Sequence, residues 1–419
     1  MCSSDLSHLM FFRDFFGRLR GLACAALAAS AGAAWSFGFE DVSRQAAEKA
    51  AQAYQPPPRL PEALAALNYD EYRRIRFRKD RAVWKGSGSP FELEFFPQGR
   101  GFERALAMYE VHDGRVSPLP VAADLFNRDG LVPGVPIGIA GFRIHSPLNR
   151  PDVMDEAAVF LGASYFRSLG AGLHYGLSAR GIAVDTAGGQ GEEFPSFTSY
   201  WFERPAPGAK QLVFYALLDG PRVAGAYQFT LVPGTTTRID VRARLWLRAP
   251  VAMLGLAPMS SMFLGGENQP LRDDYRPEVH DSDGLQIESA SGEWIWRPLV
   301  NPAGVFVTSF ALNSPRGFGL LQRDRRFVAY EDLEAAYESR PSAWVEPVGD
   351  WGEGRVELLQ FHTPDETHDN IAAYWVPARL PPAGQPLDAA WRVHWGEQPP
   401  RAPDRKSTRL NSSHRCISY

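Results

Sequence analysis

The segment from Gln211 to Arg248 constrains the fold more than any other part of the chain. It reads QLVFYALLDGPRVAGAYQFTLVPGTTTRIDVRARLWLR, three apolar or alternating runs separated by DGP and PG. Both separators are strong turn formers. In the last run, apolar and charged residues alternate from Ile239 to Leu247, which is the period of a strand with one buried face. The segment therefore predicts an antiparallel meander whose second face is solvated.

Short runs of the same kind recur along the chain. FELEFF, Phe91 to Phe96, alternates apolar and acidic residues and predicts a half-buried strand. Further strands are predicted at Val305–Leu312, Phe318–Gln322, Val356–Phe361, Ile371–Val376 and Ala389–Trp395. No alternation of strands with long helices occurs, which argues against a parallel α/β sheet. The pattern predicts a mainly β protein, a large antiparallel β-sandwich with a few short helices.

Two helical segments are predicted before the first strand. The first, VSRQAAEKAAQAY, follows Asp41 as its N-terminal cap and ends before Pro56–Pro58. The second covers Pro61–Arg74.

The N-terminus is typical of an export signal. Arg13, Arg18 and Arg20 precede the small apolar stretch Leu22–Ser36. A charged region followed by a short apolar region with small residues at its end describes a secretory signal peptide. The stretch is too short and too rich in alanine for a membrane span.

Both ends of the chain look foreign to the fold. MCSSDL at the start and KSTRLNSSHRCISY at the end resemble translated linker sequence. We predict a foreign start and signal peptide over residues 1–36, one domain over 37–396, the beginning of a linker over 397–405 and a foreign tail over 406–419.

Composition narrows the function classes. The formal net charge is −4 and no Lys/Arg stripe is present, which argues against a nucleic-acid partner. The body from Phe37 to Arg405 has no cysteine, which excludes thiol catalysis and cysteine metal sites there. The nine histidines lack ligand spacing and the glycines lack a phosphate-binding pattern, so no metal and no cofactor are predicted. Aromatic residues make up 12% of the chain, which suits a β core or a sugar-binding cleft.

Two acidic segments are candidates for chemistry. FHTPDETHDNIAAYW runs from Phe361 to Trp375, and DDYRPEVHDSDG runs from Asp273 to Gly284. The alternative for each segment is a solvated turn or loop without a role in chemistry. In GEWIWRP, Trp294 and Trp296 share one face of a strand, where they would either pack in the core or form a sugar platform.

Several long strings carry a family resemblance. LGASYFRSLGAGLHYGLSARGIAVDTA, YALLDGPRVAGAY, APMSSMFLGGENQP, YRPEVHDSDGL, GEWIWRPL, RPSAWVEP and DETHDNIAAYW occur in this order. Together they resemble the periplasmic glucan biosynthesis protein G/D family over residues 37–396. The leader has no Arg-Arg pair, which makes the chain more similar to protein G.

The resemblance implies a periplasmic protein of osmoregulated periplasmic glucan biosynthesis. The family fold it implies is a galactose-mutarotase-like β-sandwich with a long cleft, followed by an immunoglobulin-like domain that is truncated in this sequence. The implied ligand is β-1,2-glucan, with the inner-membrane glucan synthase as a further partner.

The resemblance also implies roles for individual residues. Some members hydrolyse β-1,2-glucan internally with inversion, and the matching positions make Asp369 the general acid and Asp281 a general base that acts through a relay. The positions expected to relay protons or bind substrate are Glu366, Thr367, His280, Arg276, Tyr275, Trp294 and Trp296. The alternatives are transglycosylation and a non-catalytic protein that binds or guides nascent glucan.

Overall fold

The computed structural model describes residues 36–119, 124–189, 191–382 and 384–401. Residues 1–35 of the predicted foreign start and signal peptide lie outside these ranges, as do residues 402–405 of the predicted linker and the predicted tail, 406–419. None of the helices in the described ranges has both the length and the apolar character needed to span a membrane.

The chain is mainly β, as predicted. The helices are short: α1 Phe39–Ala50, α2 Glu62–Ala65, α3 Tyr69–Arg74 and α4 Phe327–Tyr330, with 3-10 turns at Lys79–Arg81 and Tyr337–Ser339. The strands are β1 Arg76–Phe77, β2 Glu92–Pro97, β3 Ala107–His112, β4 Arg115–Pro118, β5 Phe126–Asn127, β6 Ile139–Pro147, β7 Met154–Leu161, β8 Tyr165–Ser168, β9 Ser178–Arg180, β10 Ala183–Val184, β11 Ser196–Glu203, β12 Leu212–Asp219, β13 Val223–Val232, β14 Thr237–Leu247, β15 Leu254–Ser261, β16 Phe263–Gly265, β17 Val279–His280, β18 Gly284–Glu288, β19 Trp294–Pro298, β20 Phe306–Asn313, β21 Gly317–Leu321, β22 Ser342–Val348, β23 Glu353–Gln360, β24 Ile371–Pro377 and β25 Pro386–Gly396.

Two large sheets contain most of these strands. One has ten strands, in the order β2-β6-β7-β8-β9-β15-β24-β23-β20 with β10 paired to β15. The other has eleven, in the order β19-β18-β21-β22-β25-β14-β13-β12-β11-β3-β4. Its β11–β3 pair is parallel and its other pairs are antiparallel.

Aromatic rings fill the space between the two sheets. Phe142 of β6 meets Tyr200 of β11 edge to face at 4.8 Å between ring centroids, and Phe160 of β7 meets Phe214 of β12 at 5.2 Å. Such edge-to-face pairs add about 1 kcal/mol each to the free energy of burial. The core between the sheets therefore accounts for much of the high aromatic content.

The predicted meander is present as β12, β13 and β14. Its expected solvated face is partly covered, however, because α1 lies across it. Glu40 accepts hydrogen bonds from Arg242 at 2.9 Å and Arg244 at 2.7 Å, and the Arg242 guanidinium lies 3.9 Å from the Phe39 ring centroid. The period-2 pattern correctly separates the two faces, but it cannot show that a helix packs on the charged one.

The helix boundaries differ from the prediction. Helix α1 starts at Phe39 with Gly38 at its N-cap, so Asp41 is not the cap. Asp41 lies in the first turn, and its carboxylate accepts the Gly38 N–H at 2.9 Å. The predicted second helix is split into α2 and α3, because Asn68 starts a new helix by accepting the Glu71 N–H at 2.9 Å. All five later strand predictions correspond to observed strands, with ends shifted by a few residues.

Candidate active site

The outer face of the ten-stranded sheet carries a polar strip across β8, β9 and β15. Phe166, Ala179 and Met259 belong to the core, so the residues that alternate with them point away from it. Those outward residues are Tyr165, Arg167, Ser178, Arg180 and Ser260. The alternation therefore places two arginines on one surface, although they come from different strands.

Both arginines are held in place by hydrogen bonds along this strip. Arg167 Nε donates to Ser178 Oγ at 2.8 Å. Arg180 donates from Nε to Ser260 Oγ at 2.9 Å and from Nη1 to Glu192 Oε1 at 2.8 Å. The Arg180 guanidinium also lies over the Tyr165 ring, 4.7 Å from its centroid. Tethered guanidinium groups lose little further freedom on binding a ligand, so the strip is preorganised.

Asp369 reaches this region because its neighbour Asn370 anchors the loop before β24. The buried Asn370 amide accepts the Phe263 N–H at 2.8 Å and donates to the carbonyl oxygens of Phe263 and Phe361, each at 3.0 Å. The sequence of this segment is typical of a solvated loop. The buried Asn370 side chain nevertheless fixes the end of the loop that leads into β24.

Replacing Asn370 by alanine is expected to lower the free energy of unfolding by about 3 kcal/mol, because it leaves buried backbone groups without partners. Chemical denaturation measures the change. The exposed Asn127, whose side chain accepts one hydrogen bond from Asp129, provides the matched alanine control, and we expect a change below about 1 kcal/mol there. Equal effects at both positions would contradict the anchoring role.

Asp281 is fixed to the same short stretch of chain as Asp369. Its N–H donates to the carbonyl oxygen of Met262 at 2.9 Å, and Met262 immediately precedes the Phe263 that binds Asn370. Two acidic residues from distant parts of the sequence therefore lie on adjacent segments. The Asp281 carboxylate is 5% exposed and ion-paired with Arg340, so it is almost sealed from solvent.

The surroundings of both acids shift their pKa values. Desolvation raises the pKa of Asp281, the Arg340 guanidinium opposes the rise, and the charge of Asp369 adds to it. Asp369 is exposed to solvent, although the protein around it displaces part of its hydration. Desolvation therefore raises the pKa of Asp369, against the opposing charges of Arg167, Arg180 and Arg340. The direct ion pair with Arg340 stabilises the ionised form of Asp281.

A chain of contacts runs from Asp281 to the other acidic segment. The Arg340 guanidinium lies over the ring of Tyr337, 4.2 Å from its centroid, and the Tyr337 hydroxyl donates to Glu366 Oε2 at 3.1 Å. Glu366 Oε2 also accepts from Arg276 Nη1 at 2.8 Å. Three of the predicted site residues, Asp281, Glu366 and Arg276, are therefore linked in one network.

The other predicted positions have separate surroundings. His280 is fully buried, stacked on Phe263, and bonded to Glu278 at 2.7 Å and Gln322 at 2.8 Å. Thr367 is exposed and bonded to Asp365. Tyr275 is 76% exposed.

The two predicted tryptophans also differ in their environments. Trp294 packs on Trp344 at 5.8 Å between ring centroids. Trp296 lines a pocket of ≈ 450 Å³ together with His280, under a cation-π contact from Arg323 at 4.6 Å. Gly284 makes room for this indole, since a Cβ there would lie 2.3 Å from it.

Sequence reasoning missed three arginines and one tyrosine of the site. Arg167, Arg180, Arg340 and Tyr337 lie on strands or turns remote from both acidic segments, and no local pattern distinguishes them from surface residues. Three of them occur within strings that carry the family resemblance, which was the one available signal.

Fold and site together define a mainly β protein in which two carboxyls on adjacent segments lie near tethered arginines of one sheet. A family profile described as "Periplasmic glucan biosynthesis protein, MdoG" matches residues 37–416, and the chain belongs to this family.

Curated relatives carry the same family name. The chain is 52% identical to glucans biosynthesis protein G of Ralstonia nicotianae over 382 residues, which is 90% of this chain and 76% of the relative. It is 47% identical to the protein of that name from Pseudomonas paraeruginosa, over 96% of this chain and 79% of the relative. The predicted family, and the closer similarity to protein G, are confirmed.

Proposed function

We propose that this protein is an inverting endo-β-1,2-glucanase of periplasmic glucan biosynthesis. Asp369 is the general acid and Asp281 the general base. The observation that carries the proposal is the pair itself, two carboxyls with raised pKa values on adjacent segments, of which one meets solvent and the other is paired with Arg340. Environments that push two carboxyls toward different protonation states are the usual mark of an acid and a base.

The reaction balances with two carboxyls and one water. Asp369 gives its proton to the glycosidic oxygen as the bond to the anomeric carbon breaks. A water attacks that carbon from the opposite side of the ring, and its proton passes to the Asp281 carboxylate. The products are a shortened chain with a free hydroxyl and a new reducing end of inverted configuration. A proton returned from Asp281 to solvent and one taken up by Asp369 restore the enzyme.

Burial explains why Asp281 would act through a relay. A carboxylate that is 5% exposed and occupied by Arg340 offers little surface to an attacking water. The Tyr337 hydroxyl and Glu366 lie around this ion pair, and both carry or accept exchangeable protons. We assign these two residues to the path between the water and Asp281, and Thr367 to the predicted substrate contacts.

The same burial favours a second candidate function. If no proton path reaches Asp281, the cleft would bind β-1,2-glucan without cutting it and guide the nascent chain, with the inner-membrane synthase as the partner. Carboxylates and tethered arginines bind sugar hydroxyls whether or not chemistry follows. Both candidate functions are compatible with the predicted relay or substrate-binding roles of Arg276, His280, Tyr275, Trp294 and Trp296.

The remaining parts of the proposal follow the family. We propose a galactose-mutarotase-like β-sandwich over residues 37–396, where β25 ends at Gly396. A linker would follow, with an immunoglobulin-like domain after it in the natural protein. Export by a cleaved signal peptide would deliver the protein to the periplasm.

The proposal predicts release of new reducing ends from linear β-1,2-glucan, with a rapid fall in chain length. Linear β-1,3- and β-1,4-glucans of equal length are the matched controls, and we expect no reducing ends from them. Binding of β-1,2-glucan without new reducing ends would overturn the glucanase and favour the second candidate.

A further inference from the structure

The polar strip of the ten-stranded sheet leads into an apolar pocket on the side away from β24. The pocket has a volume of ≈ 380 Å³. It is lined by Phe96, Phe102, Glu156, Val159, Leu161, Tyr165, Phe166, Arg167 and Tyr175. Apolar walls with a few polar groups are typical of small-ligand sites.

Strand register builds the floor of this pocket. Arg143, Val159 and Arg167 are directly opposite one another on β6, β7 and β8, on the face that points away from the core. Phe96 of β2 is opposite Gly141, which is opposite Leu161. A Cβ on Gly141 would lie 2.5 Å from the Phe160 carbonyl oxygen and 2.7 Å from Leu161 Cδ1, so only glycine fits at this position beside Leu161.

The pocket is continuous with the candidate active site. Tyr165 and Arg167 line it, and both interact electrostatically with Asp369. Strand β24, which follows Asp369, is four strand spacings away from β7 in the ten-stranded sheet. At about 4.8 Å each this is roughly 19 Å, room for several sugar rings laid across the strands.

Charge and hydrogen bonding indicate the chemistry of the ligand. The lining holds one acidic and one basic side chain, Glu156 and Arg167, so it has no excess of one charge. Glu156 also pairs with Arg143 at 3.2 Å between Oε2 and Nε. The Tyr175 hydroxyl is buried and has no hydrogen-bond partner among the described residues. Burial raises its pKa, and the charge of the nearby Glu156 adds to the rise. A neutral ligand with apolar faces and hydroxyl edges fits this combination.

We propose that the pocket is a distal subsite that binds one pyranose ring of the same β-1,2-glucan chain whose linkage lies at Asp369. The Phe102 ring packs against the ligand, and the Tyr175 hydroxyl bonds a sugar hydroxyl. Phe102 is itself braced by Tyr72, with ring centroids 5.9 Å apart. This subsite rests on the proposed glucan function and makes affinity depend on chain length.

The test measures binding of β-1,2-glucan oligosaccharides by calorimetry in an Asp369→Asn background, which stops cleavage. We expect Phe102→Ala to weaken binding of a long oligosaccharide about tenfold and Tyr175→Phe about fivefold. Binding of a disaccharide or trisaccharide should stay unchanged in both. Tyr374→Phe is the matched control, because it also removes a buried, unbonded hydroxyl but lies outside the pocket.

The outcomes separate this subsite from the proposed activity. Equal affinities of wild type and both variants for the long oligosaccharide, or equal losses for long and short ones, overturn the subsite while wild-type hydrolysis stands. A length-dependent loss in a wild type that releases no reducing ends supports the subsite and overturns the glucanase. No binding of any β-1,2-glucan overturns both.

Discussion

Asp369→Asn is expected to reduce hydrolysis of β-1,2-glucan by about 10²- to 10⁴-fold, with substrate binding retained. An amide cannot supply the proton that the leaving oxygen needs, and general acids contribute about this much to the rate. The wild-type rate should fall as pH rises through the raised pKa of Asp369, because the acid loses its proton. It should also fall at low pH, where Asp281 becomes protonated. Initial rates of reducing-end release across pH measure both limbs.

Asp365→Asn is the matched control for this change. Asp365 lies in the same loop and is exposed, and its carboxylate is occupied by the backbone N–H and hydroxyl of Thr367. Its pKa is lowered, chiefly by the Thr367 hydrogen bonds, so it is ionised where an acid must be protonated. We expect activity within about twofold of wild type. A comparable loss at both positions would show that the loop's charge, and not a proton from Asp369, is what matters.

Asp281→Asn is expected to abolish hydrolysis to a similar degree and also to destabilise the fold by about 3 kcal/mol. The loss of activity follows from removing the base. The loss of stability follows because the Arg340 guanidinium keeps its half-buried position but loses its counter-charge. Reducing-end assays and chemical denaturation measure the two effects on the same preparation.

The double variant Asp281→Asn with Arg340→Gln separates the two effects. Removing both charges relieves the unpaired guanidinium, so stability should return toward the wild-type value. Activity should not return, because the base is still absent. Recovery of activity along with stability would reduce Asp281 to a structural partner of Arg340.

The sheets were predictable from local patterns, whereas the site was only partly so. Period-2 alternation and turn formers depend on neighbouring residues, which is why β12, β13 and β14 match the prediction closely. The same alternation could not show that α1 covers the charged face of β14, since that contact joins Glu40 to Arg242 across the fold.

The sequence motifs shared with the family identified the two acids of the site. They did not identify the residues that surround these acids. Asp281 and Asp369 stand in recognisable motifs, but their electrostatic environment comes from Arg167, Arg180 and Arg340 on other elements. For His280, in contrast, the family motif led to a site prediction, but the side chain is buried away from solvent. It adjoins Asp281 in sequence, yet alternation along the strand turns it toward Glu278 and Gln322.

The anomeric configuration of the first product tests the central claim most directly. Proton NMR during the first turnovers of linear β-1,2-glucan resolves the new reducing end before it mutarotates. A general acid at Asp369 and a base-activated water on the opposite face predict the α-anomer as the initial product, absent in the Asp369→Asn variant. Initial formation of the β-anomer, or an intact chain that remains bound, would contradict the inverting acid–base pair.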